Sequence, residues 1–165
     1  MVNPLTLGDV QIATGGTLSG DAELSFSSVT TDSRSVEPGS LFVALVGEKF
    51  DGHAYVAQAL AKGAVAAVVS QSMTGIACVE VADTTVALGQ IARKSRDAFT
   101  GPVVGITGSV GKTTTKEFLA LALSPKFVVH KTPENFNNEI GLPQTILSAA
   151  PNTTASSAKD CFCWA

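Results

Sequence analysis

Charge is scarce in this chain. Of 165 residues only 15% are charged, and 11 basic against 14 acidic side chains leave a net charge of −3. A protein that grips nucleic-acid backbones needs a basic face, so a general nucleic-acid binder is excluded. Long apolar runs are lacking as well. None exceeds the length of Ala64–Val69, far short of the about 20 residues that span a bilayer. Residues 1–16 have neither a basic start nor an apolar core, so no secretory signal is expected and the reading is cytoplasmic. Cysteine is too sparse for a disulfide framework. Cys78 lies in an apolar run as a small buried hydrophobe, and no other Cys or His completes a metal set with Cys161 and Cys163. Hydrophobic residues nevertheless make up 45% of the chain, enough for a packed core rather than disorder.

The strongest pattern is Gly105-Ile106-Thr107-Gly108-Ser109-Val110-Gly111-Lys112-Thr113-Thr114. A short β-branched strand, Pro102-Val103-Val104, precedes it, and a good helix opening follows. Strand, glycine loop, Gly-Lys-Thr and helix is the order that a phosphate-binding loop requires. Glycines let successive N–H groups turn inward at phosphate oxygens, and the helix N-terminus adds partial positive charge. ATP phosphates are therefore expected on Gly108, Ser109, Val110, Gly111, Lys112, Thr113 and Thr114. Lys112 would bridge the outer phosphates, and the Thr113 hydroxyl would sit on Mg²⁺. The strict pattern asks for glycine where Ile106 stands. The competing reading is a plain strand-to-helix turn.

Read in order, the chain alternates helix and strand. Leu5–Ala13 is predicted as a helix capped by Thr6 and stopped at Gly15-Gly16, and Leu24–Thr30 as a strand running into the polar Thr31-Asp32-Ser33-Arg34. Leu41–Val46 and Ala64–Val69 read as buried strands. Between them lie a polar loop over Gly47–His53 and a helix over Ala54–Lys62 with Tyr55, Val56, Ala59 and Leu60 on one face. Strand, helix, strand at this spacing means a parallel pair. Ile76–Val81 is a further strand, and Asp83 caps a helix with Leu88, Ile91, Ser95 and Phe99 on its stripe. After the glycine loop and its helix come a strand over Lys126–His130, an Asn-rich loop, and a helix over Leu142–Ala149. From Ala150 the pattern fails.

The fold expected is α/β: a small unit over 1–100, the start of a parallel-sheet P-loop domain over 101–149, and a disordered tail over 150–165. With only about two strands after residue 100, the second sheet is expected to be open, with an uncovered apolar face.

Three blocks carry a resemblance. They are Thr31-Asp32-Ser33-Arg34 with 38–53, Gly105–Thr114, and Lys131-Thr132-Pro133-Glu134-Asn135-Phe136-Asn137-Asn138-Glu139-Ile140-Gly141-Leu142-Pro143. The span from Leu5 to about Ser148 resembles the Mur ligases, the ATP-dependent amide-forming enzymes of peptidoglycan precursor synthesis. Thr-Gly-Ser-x-Gly-Lys-Thr is that family's form of the loop, which accounts for Ile106. The third block resembles the branch that joins D-alanyl-D-alanine to UDP-N-acetylmuramoyl-tripeptide. The resemblance implies ATP and Mg²⁺ as cofactors, phosphorylation of the tripeptide carboxylate, and attack by the amine of D-Ala-D-Ala. It also implies a cytoplasmic monomer serving cell-wall biogenesis, cell shape and division.

The resemblance places Ser33, Arg34 and Gly47 near the uridine diphosphate end of the substrate, and Asn137 and Asn138 near its muramoyl or peptide part. Read from the residues alone, Asp32 and Arg34 equally make a surface ion pair, and the asparagines equally cap a turn. His53 and His130 read as structural. The family's later metal ligands and its C-terminal domain have no counterpart in this sequence, so the tail reads as foreign to the family and the chain as inactive alone. A sister ligase adding the third amino acid, a non-catalytic UDP-sugar or nucleotide-binding fragment, and an unrelated P-loop ATPase remain as alternatives.

Overall fold

The computed structural model describes residues 5–48, 50–133, 136 and 138–149, and the backbone of 155–159. The elements in chain order are β1 (Leu5–Thr6), α1 (Leu7–Thr14), β2 (Thr17–Ser19), β3 (Ser25–Phe26), β4 (Ser28–Thr30) and β5 (Ser40–Val43). A tight hairpin follows, β6 (Val46–Gly47) and β7 (Phe50–Asp51), then a 3-10 turn over Gly52–Tyr55. Next come α2 (Val56–Ala61), β8 (Ala66–Val69), β9 (Cys78–Glu80) and α3 (Thr84–Asp97). The remainder is β10 (Val103–Ile106), α4 (Lys112–Leu123), β11 (Val129–Lys131), α5 (Gly141–Leu147) and β12 (Ala155–Lys159).

Local chemistry fixes several ends. The Thr6 hydroxyl accepts from the Asp9 N–H while the Asp9 carboxylate accepts from the Thr6 N–H, a reciprocal capping box that opens α1. Gly15 closes that helix in the left-handed conformation. Asp83 accepts from the N–H groups of Thr85 and Val86 and opens α3.

The first sheet has the order β2-β9-β8-β5-β4. The last four strands are mutually parallel, and β2 joins β9 antiparallel. Side chains alternate across it. Leu41, Val43, Ala66, Val68 and Val79 face a core that includes Leu7 and Val10 of α1 and Leu88 and Ile91 of α3. Phe42, Ala44, Ala67, Val69 and Cys78 face the other way, onto Val56 and Ala59 of α2. Both faces are covered, which is why these strands read as unbroken apolar runs.

The strand expected over Leu24–Thr30 is two short ones. β3 pairs with β1 and β4 with β5, and the Ser27 N–H between them donates to the Gly39 carbonyl. The face expected on the second helix is also changed. Gly52–Tyr55 forms a 3-10 turn capped by Asp51. The tighter winding takes Tyr55 out of phase with Val56 and Ala59 and leaves it exposed.

The second sheet has the order β10-β12-β11, all parallel. The expectation of only two strands and an aperiodic tail from residue 150 is corrected here, because Ala155–Lys159 supplies the central strand. Its sequence carries no apolar alternation. It is a strand because two strands flank it, and pairing rather than intrinsic preference decides short strands. Among the described residues β10 has a neighbour on one side only. On α4, Phe118 and Leu121 are each 68% exposed.

Helix α5 does something the sequence did not announce. Leu147 is buried in the core of the first sheet, with Ile140 and Ile146 packed against it. The helix lies against α3 and β4. The side chain of Gln144 donates to the Thr31 hydroxyl at 2.5 Å. The core of the first sheet is thus closed by residues far beyond position 100.

Candidate functional site

The glycine loop lies between β10 and α4, as its sequence requires. Gly108 has φ 146° and Gly111 φ 80°, backbone that side chains with a Cβ rarely adopt. Gly111 is the N-cap of α4, and its carbonyl accepts the first helical hydrogen bond from the Thr115 N–H. The Lys112 ammonium folds back and donates to the Gly108 carbonyl. Ser109, Val110, Gly111, Lys112, Thr113 and Thr114 line an open depression of about 290 Å³. A left-handed glycine turn, the N-terminus of a 12-residue helix, an ammonium and a hydroxyl converge on one concavity. That donor set suits phosphate oxygens and a hard cation, so the residues present fit a nucleotide triphosphate with its metal.

A residue that the sequence reading missed supports this loop. Lys116 is 2% exposed. Its ammonium donates to the Thr132 carbonyl at 2.7 Å and pairs with Glu117 at 3.3 Å. Glu117 is also bridged by Lys131, and these two cations, Lys131 foremost, hold its carboxyl below the usual range. One turn beyond Lys112, Lys116 therefore ties α4 to the end of β11, where the Asn-rich loop begins. The signal was available in the helical spacing, which puts residue 116 on the same stripe as buried Ala120.

The remaining candidates gather at one edge of the first sheet. Because β4, β5 and β8 run parallel, their carboxyl ends all deliver loops to that edge, where open α/β sheets place their ligands. Ser33 is nearly buried, and its hydroxyl donates to the Gln58 side-chain carbonyl at 3.2 Å. The Arg34 guanidinium is exposed and makes a forked pair with Asp32, at 2.7 Å on its shortest arm. Lys62, read from sequence only as a helix end, donates to the carbonyls of Ser33 and Arg34 at 2.9 and 3.3 Å.

Gly47, expected in a loop, sits in β6 opposite Phe50, whose ring lies 2.5 Å from where a Cβ would stand. The hairpin is strapped to β8 through His53. Its Nδ1 hydrogen-bonds the Asp51 carboxylate at 2.5 Å, and its Nε2 accepts the Ser70 N–H at 2.9 Å. That network assigns the Nδ1–H tautomer and a structural role. His130 is likewise structural, with Nε2 2.7 Å from the Thr145 carbonyl of α5.

Asn138 caps α5, its carbonyl oxygen accepting from the N–H groups of Ile140 and Gly141 at 3.3 and 2.7 Å. Asn137 and Glu134 lie outside the described residues, as do Cys161 and Cys163.

The Asp32 carboxyl is drawn down to about 2, first by the Arg34 side chain and then by the Arg34 backbone N–H. A depressed carboxylate contributes fully above its unfolded value near 3.8 and loses that contribution as pH falls through about 2. We therefore expect an NMR titration of Asp32 to show a midpoint near 2. Arg34→Ala should move the midpoint back toward the ordinary value without fully restoring it, because the residue-34 backbone N–H still donates to the carboxylate. An unshifted midpoint in the wild-type chain would show that the fork does not persist in solution.

The strand, glycine loop and helix on a parallel sheet define the class: a P-loop α/β protein. Two family profiles match, one described as Mur ligase family, catalytic domain, over residues 25–96, and one as Mur ligase middle domain, over 106–157. The chain belongs to the Mur ligase family. It is 48% identical over 134 residues to the UDP-N-acetylmuramoyl-tripeptide--D-alanyl-D-alanine ligase of Synechocystis, a match covering 79% of this chain and 30% of that one. A crystal structure of MurF from Acinetobacter baumannii superposes with a TM-score of 0.88 at 36% identity, covering 96% of this chain and 36% of the other. MurF ligase from Thermotoga maritima, solved in complex with ADP, superposes with a TM-score of 0.73 at 38% identity, covering 80% and 31%. The chain thus spans about a third of the length of these relatives.

Proposed function

We propose that this chain is the nucleotide- and UDP-substrate-holding part of an ATP-dependent ligase that joins D-alanyl-D-alanine to UDP-N-acetylmuramoyl-tripeptide in peptidoglycan precursor synthesis. The observation that carries the proposal is the open depression lined by Ser109–Thr114 at the N-terminus of α4, in a chain whose relatives bear that name.

In this reading Gly108, Ser109, Val110, Gly111, Lys112, Thr113 and Thr114 hold the phosphates of ATP, with the Thr113 hydroxyl toward Mg²⁺. ATP supplies the phosphoryl group that activates the tripeptide carboxylate. Lys112, released from the Gly108 carbonyl, and the loop N–H groups stabilise negative charge on that group. Ser33, Arg34 and Gly47 hold the uridine diphosphate end at the carboxyl edge of the first sheet, and Asn137 and Asn138 the muramoyl-peptide part. Residues 1–100 form the substrate unit, and the P-loop unit starts at 101. The setting is a cytoplasmic monomer serving the cell wall, cell shape and division. Among the described residues no helix is long and apolar enough to cross a membrane.

Calorimetry tests the reading. The 165-residue chain should bind Mg²⁺-ATP and UDP-N-acetylmuramoyl-tripeptide, one of each. A folded chain that gives no heat with millimolar UDP-N-acetylmuramoyl-tripeptide would overturn it.

A further inference from the structure

Lysine is almost never fully buried unless it is paired, and Lys116 is a buried lysine outside the lining of the phosphate depression. Of the residues of α4, Lys116 and Ala120 are buried, Leu119 and Leu123 are partly covered, and Phe118 and Leu121 point outward. The helix lacks the buried apolar ridge of Ala87, Leu88, Ile91 and Ala92 that seats α3. Polar contacts hold it instead. The Lys116 ammonium donates to the Thr132 carbonyl at 2.7 Å and pairs with Glu117 at 3.3 Å, and Lys131 of β11 bridges Glu117 in turn. Two consecutive residues of opposite sign thus grip the end of β11 from α4.

The fastenings of α4 lie on two different strands. The glycine loop hangs from β10 and the Lys116–Glu117 clamp grips β11, with β12 between them. The loop fastening is the softer one, because it turns through Gly108 and Gly111 at positive φ. Lys116 stands one turn after Lys112 and three residues after Thr113 on the same helix. Whatever fixes residue 116 therefore fixes where Lys112 and Thr113 meet a phosphate.

We infer that Lys116 is a positioning residue of the nucleotide site: anchored to β11, it sets the height of the α4 N-terminus over the second sheet, and with it the spacing of Lys112 and Thr113 from the loop N–H groups. The inference rests on the nucleotide reading proposed above. Lys116 itself meets no phosphate, since its side chain is 2% exposed and its ammonium is taken up by the Thr132 carbonyl and Glu117. Its effect is geometric: donors already in place bind a ligand without the cost of ordering them. A cation that contacts phosphate directly is worth less as salt screens it, whereas a buried one acting through geometry keeps its effect.

The test uses the 165-residue chain with Lys116→Met, which keeps the side-chain length and removes the ammonium, and Glu117→Gln, which weakens the outer half of the clamp at a half-exposed side chain. Calorimetry measures affinity for Mg²⁺-ATP and for UDP-N-acetylmuramoyl-tripeptide at low and high salt, with urea unfolding alongside. Lys116→Met should bind Mg²⁺-ATP roughly five- to tenfold more weakly, by the same factor at both salt concentrations, and the UDP ligand within about twofold of wild type. Glu117→Gln should lose roughly threefold in the same pattern. A loss in Lys116→Met that shrinks at high salt would mean that the ammonium meets phosphate directly, and overturns the inference. Lowered stability with unchanged Mg²⁺-ATP affinity would reduce Lys116 to a structural fastener and overturns it too, as does equal weakening of both ligands. Should Lys116→Met fail to fold, Glu117→Gln decides, and wild-type affinity for Mg²⁺-ATP in that variant overturns the inference. A wild-type chain that binds no Mg²⁺-ATP overturns the nucleotide reading, and this inference with it. A wild type that binds Mg²⁺-ATP, with unresponsive variants, overturns the inference alone.

Discussion

Lys112→Ala should weaken Mg²⁺-ATP binding by roughly a hundredfold and leave the fold in place. Lys112 is partly exposed, and its ammonium donates within its own loop to the Gly108 carbonyl. Its value lies in what it can reach. In the depression at Ser109–Thr114 it supplies a full positive charge, where the helix terminus offers only about half of one. Thr113→Ala separates the metal from the phosphate: its affinity loss should appear with Mg²⁺ present and shrink without it. Calorimetry at matched ionic strength reads both effects. A Lys112→Ala variant that binds Mg²⁺-ATP within threefold of wild type would reduce the glycine loop to a turn.

Leu147→Ala should lower the unfolding free energy by about 2–5 kcal/mol, the range for emptying a buried leucine site. Leu147 is 4% exposed and packed in the core under the first sheet, although it stands well beyond the glycine loop in sequence. A cavity there loosens α5 from α3 and β4 together. Leu121→Ala, at a side chain 68% exposed on α4, should change stability by no more than about 0.5 kcal/mol. Urea unfolding of the two variants compares them directly. Equal losses would mean that α5 is not part of the first sheet's core in solution.

What sequence could reveal was local. The reciprocal Thr6–Asp9 cap, the Gly15 stop, the Asp83 cap and the Leu88–Ile91 stripe all follow from side chains acting within four residues of themselves. The glycine loop was legible for the same reason, since its strand, turn and helix are contiguous. Missed features depend on partners far along the chain. β12 has a strand's role only between β10 and β11. Lys116 gains importance only because the Thr132 carbonyl arrives above it. Gln144 carried no motif at all, and its meaning is the Thr31 hydroxyl. For Arg34 and Asn138, the plain alternatives weighed from sequence describe what their side chains do in the structure: one pairs with Asp32, the other caps α5.

The order β10-β12-β11 has a consequence for synthesis. The middle strand of that sheet is the last of the three to be translated. While the ribosome is still adding residues 132–154, β10 and β11 share no neighbour and have no ladder between them. Strands flanking a gap expose backbone that another chain can pair with. Until Ala158 has been added, those two strands keep backbone edges that a second copy of the chain could pair with.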